Sequence, residues 1–403
     1  MKIPHEKFCV LPWISLETSP TGTVRPCCLA EDEILDDTGV PFELVNSRFS
    51  DIQNSKHMKY LRQQFLDGER PATCQKCWNE EDSGRTSKRM HTLNRLKHMV
   101  ADDEWTIDAK PLLFLDLKLG NICNLKCRIC GSWSSSAFAT EELKYIDKKH
   151  KKDSFQYKML QKGAWPRQNS DFWTEIEGVL DEIRYIEFTG GEPFMIGEHF
   201  QLLQRLVERG ISKNIEIHYN TNGTHYPEHA PEIWKNFKHV EIAFSIDDVE
   251  ERFEYQRTNA IWDEVQSNIK KFIQLKADSN NVSLQVCSTV NIYNVYYLEG
   301  LAKWIDEQNF DFVYWNMLHE PKYLSVGSLP ENAKSALIDC LRNADVSDYH
   351  RSEFENIIDF VKNGKSTDGS ELIADIKKLD ERRSVKFSDA HTIWADILGY
   401  EKT

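Results

Sequence analysis

Between about residues 112 and 318, short apolar runs alternate with longer stretches whose apolar residues return at helical spacing. The runs 112–119, 184–188, 215–219, 240–244, 282–286 and 312–315 have strand length. Between them, Phe200, Leu203 and Val207 share one helix face, closed by Gly210. Val265, Ile269, Phe272 and Ile273 share another, and Leu298, Leu301 and Ile305 a third. Strand and helix in repeated alternation predict an α/β fold with a parallel sheet and right-handed crossovers. Such sheets carry their chemistry at the C-terminal ends of the strands. One connection, 134–179, is longer and holds a helix with a mixed basic and aromatic insertion.

The flanks differ from this middle. Up to about residue 108 the chain is rich in Cys, Pro and turns, with one helix expected near 52–66. Asp102, Asp103 and Glu104, followed by Pro111, mark the junction. From about residue 321 the pattern is that of polar amphipathic helices, at 333–341, 354–361 and 372–379. The expected division is therefore 1–108, 109–320 and 321–403. No internal repeat stands out. No apolar run approaches the ~20 residues of a membrane span. Met1 to Trp13 carries Pro4 and charges where a signal peptide would be apolar, so a soluble cytoplasmic protein is expected. The formal net charge of −14 over 403 residues argues against general nucleic-acid binding. Lys148, Lys149, Lys151 and Lys152 form a local basic cluster, but Asp147 and Asp153 flank it and make it a solvated surface.

Cysteine placement changes the picture most. Eight of the ten cysteines fall in the first 130 residues, and in a reducing compartment such crowding points to metal rather than disulfides. The first strand of the alternating region runs into Cys123-Asn-Leu-Lys-Cys127-Arg-Ile-Cys130. Three closely spaced thiolates can wrap a four-iron cubane and leave one iron open to an external ligand, which a four-cysteine electron carrier would not allow. Lys126 and Arg128 would temper its negative charge. Zinc is the alternative, but it normally takes a fourth protein ligand. The next strand ends in Thr189-Gly190-Gly191-Glu192-Pro193. Its glycines permit close backbone approach to a ligand, and a carboxylate there can accept hydrogen bonds from an ammonium group. In isolation these residues would equally form an ordinary turn.

A three-cysteine loop followed one βα unit later by Gly-Gly-Glu-Pro resembles the radical S-adenosylmethionine superfamily, over about residues 112–318. The resemblance implies a partial six-stranded (β/α) barrel, a [4Fe–4S] cluster on Cys123, Cys127 and Cys130, and S-adenosylmethionine chelated by the open iron. It further implies a reductant such as flavodoxin or ferredoxin and a 5′-deoxyadenosyl radical that abstracts hydrogen from a substrate. By the same resemblance Gly190, Gly191 and Glu192 hold the methionine amino group. Ser245, with Arg257 twelve residues on, would bind its carboxylate, and Asn222 lies on the same rim. Ile129 stands where the superfamily usually places an aromatic residue against adenine. On the residues alone, Arg257 could equally pair with Glu254 or Glu250, and Asn222-Gly223 could be a plain turn.

The N-terminal segment reads Cys9, Pro12-Trp13, Gly22, then Cys27-Cys28, and later Cys74-Gln-Lys-Cys77. Four thiolates fit either a zinc ribbon or a second cubane, and spacing does not separate these. The order of Cys, Pro-Trp, Gly and Cys resembles the auxiliary-cluster modules called SPASM and twitch. That resemblance implies an auxiliary [4Fe–4S] cluster on Cys9, Cys27, Cys74 and Cys77, here preceding the barrel rather than following it. The expected function is thus a radical S-adenosylmethionine oxidoreductase acting on a peptide, a protein or a small molecule. The alternative is a non-catalytic zinc or iron–sulfur scaffold or electron carrier. Cys287 and Cys340 could quench a product radical, although isolated thiols are more often buried structural residues.

Overall fold

The computed structural model describes every residue except 1, 83, 85, 97–98, 101–103, 169 and 403. The expected junction at Asp102 and Asp103 therefore lies outside the described residues. By internal contacts the chain forms two compact units. The first comprises Met1–Cys123, Ser132–Tyr219 and Glu228–Val240; the second comprises Asn124–Gly131, Asn220–Pro227 and Glu241–Thr403. The described residues include ten strands: β1 (Ser15–Thr18), β2 (Val24–Arg25), β3 (Phe114–Lys118), β4 (Lys126–Cys127), β5 (Tyr185–Thr189), β6 (Glu216–Thr221), β7 (His239–Phe244), β8 (Arg257–Thr258), β9 (Val282–Val290) and β10 (Phe312–Met317). β3, β5, β6, β7, β9 and β10 are the strands expected from the apolar runs, each shifted by no more than a few residues.

The first unit has the strand order β2-β1-β3-β5-β6. β1 pairs antiparallel with β2 but parallel with β3, and β3, β5 and β6 continue in parallel. The cysteine-rich segment thus adds two strands to the sheet. Side chains alternate across a strand, and the register brings Glu17, Asp116 and Glu187 onto one face. Leu16, Leu115, Leu117, Ile186 and Phe188 form the opposite face, all buried. The helix expected near 52–66 is two helices, Phe49–Gln53 and Lys56–Leu66. Ser55 divides them because its hydroxyl accepts the Met58 N–H and starts the second. In the long connection, Ser135 and Ser154 cap Ser136–Glu142 and Phe155–Lys162 in the same way.

In the second unit the order is β7-β9-β10, with β9 and β10 parallel, and β4 and β8 form a small antiparallel pair. The helices Trp262–Ala277 and Leu298–Asp306 bury Val265, Ile269 and Phe272, and Leu298, Leu301 and Ile305, the faces read from the sequence. The C-terminal helices are Glu331–Asn343, Asp348–Asn363 and Ser370–Arg383, with the short Phe387–Ala390 and Thr392–Leu398 after them. Gly327 and Gly364 let two segments meet: a Cβ on Gly364 would lie 2.3 Å from the Cα of Gly327. Among the described residues, no helix is long and apolar enough to cross a membrane.

Candidate cluster and cofactor sites

In the first unit, Cys9, Cys27, Cys74 and Cys77 line one cavity, together with Leu11, Phe65, Lys88 and Arg89. Cys28 does not line it. Cys9 and Cys77 are buried, and Cys27 and Cys74 are half-buried. Burial raises all four thiols above the usual range, Cys77 to about 11. Neighbouring thiols push Cys9, Cys74 and Cys77 further in that direction. Four thiolates cannot share such a cavity without a compensating cation, a charge that cluster iron would supply. Trp78, fully buried, donates its indole N–H to the Pro71 carbonyl at 3.1 Å and ties the helix Gln75–Asp82, which carries Cys77, to the turn that ends at Cys74.

Cys28 turns instead toward the polar sheet face. Its sulfur and carboxylate oxygens of Asp116 and Glu187 lie within 4.8 Å of one another. Lys88 donates to Glu187 at 2.9 Å, Arg25 to Glu17 at 2.7 Å, and Thr189 to Asp116 at 2.9 Å, while Lys118 pairs with Glu17. Burial disfavours the Lys88 ammonium, but the acidic groups around it, Glu187 foremost with Cys28, Tyr185 and Asp116, together outweigh that and hold its pKa above the ordinary lysine range. Burial lifts Asp116 to about 6.

The Gly-Gly-Glu-Pro turn belongs to the same unit and is built onto the entry to the cysteine loop. Glu192 N–H donates to the Ile122 carbonyl at 2.7 Å. Gly191 has φ +59°, and a Cβ there would sit 2.6 Å from that carbonyl oxygen; one on Gly190 would sit 2.9 Å from Lys118 Cβ. Only glycine satisfies both conditions. The Glu192 side chain is fully buried, and its Oε1 accepts the Phe194 N–H at 3.1 Å. Gly190 and Gly191 are the more exposed part of the turn.

In the second unit, β4 and β8 place Cys127 directly opposite Arg257. Arg257 Nη1 lies 3.9 Å from Cys127 Sγ, and Nη2 lies 2.6 Å from Asp247. Asp247 is itself held by Thr289 N–H at 2.8 Å and Gln256 Nε2 at 2.9 Å. Burial raises the Cys127 thiol, and Arg257 pulls it back. Asn222 Nδ2 donates to Asn124 Oδ1 at 3.1 Å, tying the tip of β6 to the loop. Ser245 is half-buried and donates its N–H to the Thr221 carbonyl at 2.8 Å; Ile129 and Cys130 are half-buried. Cys287 lies within the electrostatic reach of Asp247 and Arg257. Cys340 points its thiol at the Tyr296 carbonyl, 3.4 Å away.

Residues 117–290 match the radical SAM superfamily, and residues 9–78 match SPASM, an iron–sulfur cluster-binding domain. The chain thus carries a segment of the radical SAM superfamily behind a segment of the cluster-binding domain. The two matched domains are those of [4Fe–4S] clusters and S-adenosylmethionine as cofactors. No curated protein matches it. Among solved structures it is similar to anSMEcpe with bound AdoMet and the Cp18Cys peptide, at 18% identity over 64% of this chain and 63% of that one, with a TM-score of 0.37. It is also similar to Streptococcus suis SuiB bound to S-adenosylmethionine, at 13% identity over 81% and 68% of the two chains, TM-score 0.37. TYW1 with a lysine-pyruvate adduct matches at 9% identity over 59% and 71%, TM-score 0.30. The chain spans less than two thirds of anSMEcpe's length.

Several residues at these sites were not singled out by sequence. Asp247, Asn124 and the charged face of β1, β3 and β5 lack a local motif. One signal was legible all the same. Strands of a parallel sheet are normally apolar on both faces, so Asp116 and Glu187 in mid-strand mark a face reserved for polar chemistry.

Proposed function

We propose that this chain cleaves S-adenosylmethionine reductively at a [4Fe–4S] cluster on Cys123, Cys127 and Cys130, with an auxiliary cluster on Cys9, Cys27, Cys74 and Cys77. One observation carries the reading. The Gly-Gly-Glu-Pro turn is hydrogen-bonded to Ile122, the residue before Cys123, so the turn and the start of the cysteine loop are held together. When bound, cluster and cofactor supply one-electron chemistry, giving methionine and a 5′-deoxyadenosyl radical that takes a hydrogen atom from the substrate.

The chain's own residues then bind and orient. Gly190 and Gly191 allow the methionine ammonium to approach backbone carbonyls, and Glu192 holds their conformation by capping the turn. Arg257 suits the methionine carboxylate because a guanidinium fork fits two oxygens, with Asp247 fixing its direction and Ser245 beside it in the motif. Asn222 steadies the cysteine loop through Asn124, and Ile129 packs against adenine. The charged sheet face around Asp116 and Glu187 favours a polar substrate, either a peptide or protein side chain or a polar small molecule. A flavodoxin or ferredoxin would deliver the electron. In this reading 1–108 is the auxiliary-cluster domain, 109–320 the barrel and 321–403 a helical extension.

Anaerobic reconstitution followed by iron and sulfide analysis tests the assignment. About eight irons per chain are expected for two cubanes, falling to about four when Cys123, Cys127 and Cys130 are replaced by Ala. Zinc in place of iron would end the proposal.

A further inference from the structure

The C-terminal helix Ser370–Arg383 reaches the cysteine loop through one buried ion pair. Arg128 stands between Cys127 and Cys130, and is 3% exposed; Asp380, near the end of that helix, is 4% exposed. Arg128 Nη2 donates to Asp380 Oδ1 at 2.6 Å, Nε donates to the Tyr255 carbonyl at 3.0 Å, and the guanidinium lies 3.7 Å from the Tyr255 ring centroid. Its backbone N–H donates to the Gln256 carbonyl at 2.8 Å. The loop is therefore anchored on both main chain and side chain.

Asp380 is equally specified. Tyr255 Oη donates to Oδ1 at 2.7 Å, Phe387 N–H to Oδ2 at 2.7 Å, and Tyr400 Oη to Oδ2 at 2.8 Å. With Arg128, these donors converge on both carboxylate oxygens. The chain is turned back to deliver two of them: Ser384, with φ 54°, ends the helix in the left-handed region, where a non-glycine residue is uncommon. A second contact runs parallel to the first. Arg383 Nη1 donates to Thr258 Oγ1 at 3.1 Å, and Thr258 is the β8 partner of Lys126.

Surface ion pairs are weak and replaceable. This one is buried, shared among aromatic hydroxyls and placed between two proposed cluster ligands. We infer that Asp380 is a positioning residue for the catalytic cluster: it fixes the Arg128 side of the cysteine loop and cancels the arginine's charge, thereby setting the reduction potential of the cluster. The inference rests on the proposed assignment of Cys127 and Cys130. It gives the C-terminal extension a role in the chemistry beyond covering the sheet.

The test is a potentiometric titration of the reconstituted full chain, followed by electron paramagnetic resonance. The signal read is the one that changes on adding S-adenosylmethionine, so that the auxiliary cluster is not confused with the catalytic one. Asp380→Asn keeps the shape but leaves the Arg128 charge uncancelled, which favours the reduced, more negative cluster. Its midpoint potential is expected to shift upward while the auxiliary signal stays in place, and Asp380→Glu should restore the wild-type value. If Asp380→Asn does not fold, Tyr400→Phe removes one donor from the same carboxylate, strengthens its field at Arg128 and should move the potential down. A wild-type signal whose potential is unmoved in every variant that folds overturns the inference alone. A wild-type protein with no cofactor-responsive signal overturns the cluster assignment and the inference together.

Discussion

Asp116 shows how burial and chemistry conflict at one residue. Its carboxyl lies on a sheet face with Glu17 and Glu187, and burial lifts its pKa to about 6, above the ~3.9 of an unfolded chain. A carboxyl raised by folding favours the native state fully below about pH 4, and that contribution is lost as pH rises through about 6. Asp116→Asn cannot ionise. Its stability relative to wild type should therefore improve between about pH 4 and pH 7, as read from thermal melts at a series of pH values. A difference that stays constant across that range would contradict the shift. At this scale the legible residues were those with a local motif: the cysteine triplet, Gly190-Gly191 and the Cys74/Cys77 pair. Arg128 was visible as a charge near the proposed cluster, but its partner Asp380 lies 252 residues away and no spacing rule connects them. The same holds for Arg257. The sequence offered Glu250 or Glu254 as its partner, and the structure pairs it with Asp247.

Among the elements, the strands of the alternating region were legible because apolar runs of strand length between helical periodicities leave few other readings. β1 was not. Four residues, Ser15–Thr18, carry no alternation long enough to detect, and its parallel pairing with β3 is tertiary. The short helices Phe387–Ala390 and Thr392–Leu398 escaped for the same reason. The segment Cys27-Cys28 is the element whose geometry has the sharpest consequence. The two cysteines stand in a tight turn after β2, where the Ala30 N–H donates to the Cys27 carbonyl at 3.2 Å. Here Cys27 lines the four-thiol cavity, while Cys28 sits with Asp116 and Glu187. Cys27→Ser should cost the auxiliary cluster, lowering iron from about eight to about four per chain, whereas Cys28→Ser should retain both clusters. Mössbauer spectra of the two variants decide it, and loss of the second cluster in Cys28→Ser alone would reverse the assignment.

Over the whole molecule, the match to the cluster-binding domain spans residues 9–78 and the match to the radical SAM superfamily spans 117–290. What sequence did not reveal is how far the flanks enter the core of each unit. The N-terminal segment contributes β1 and β2 to one sheet, and the C-terminal helices contribute Asp380 to the cysteine loop. Both flanks thus contribute residues to the packed interior of the unit to which they belong. In the proposed function the chain cleaves its cofactor. Incubating the reconstituted, dithionite-reduced protein with S-adenosylmethionine and assaying by liquid chromatography with mass spectrometry tests it directly. Formation of 5′-deoxyadenosine and methionine, abolished by replacing Cys123, Cys127 and Cys130 with Ala, is the predicted result. A protein carrying its full iron and sulfide that leaves S-adenosylmethionine intact would contradict the account.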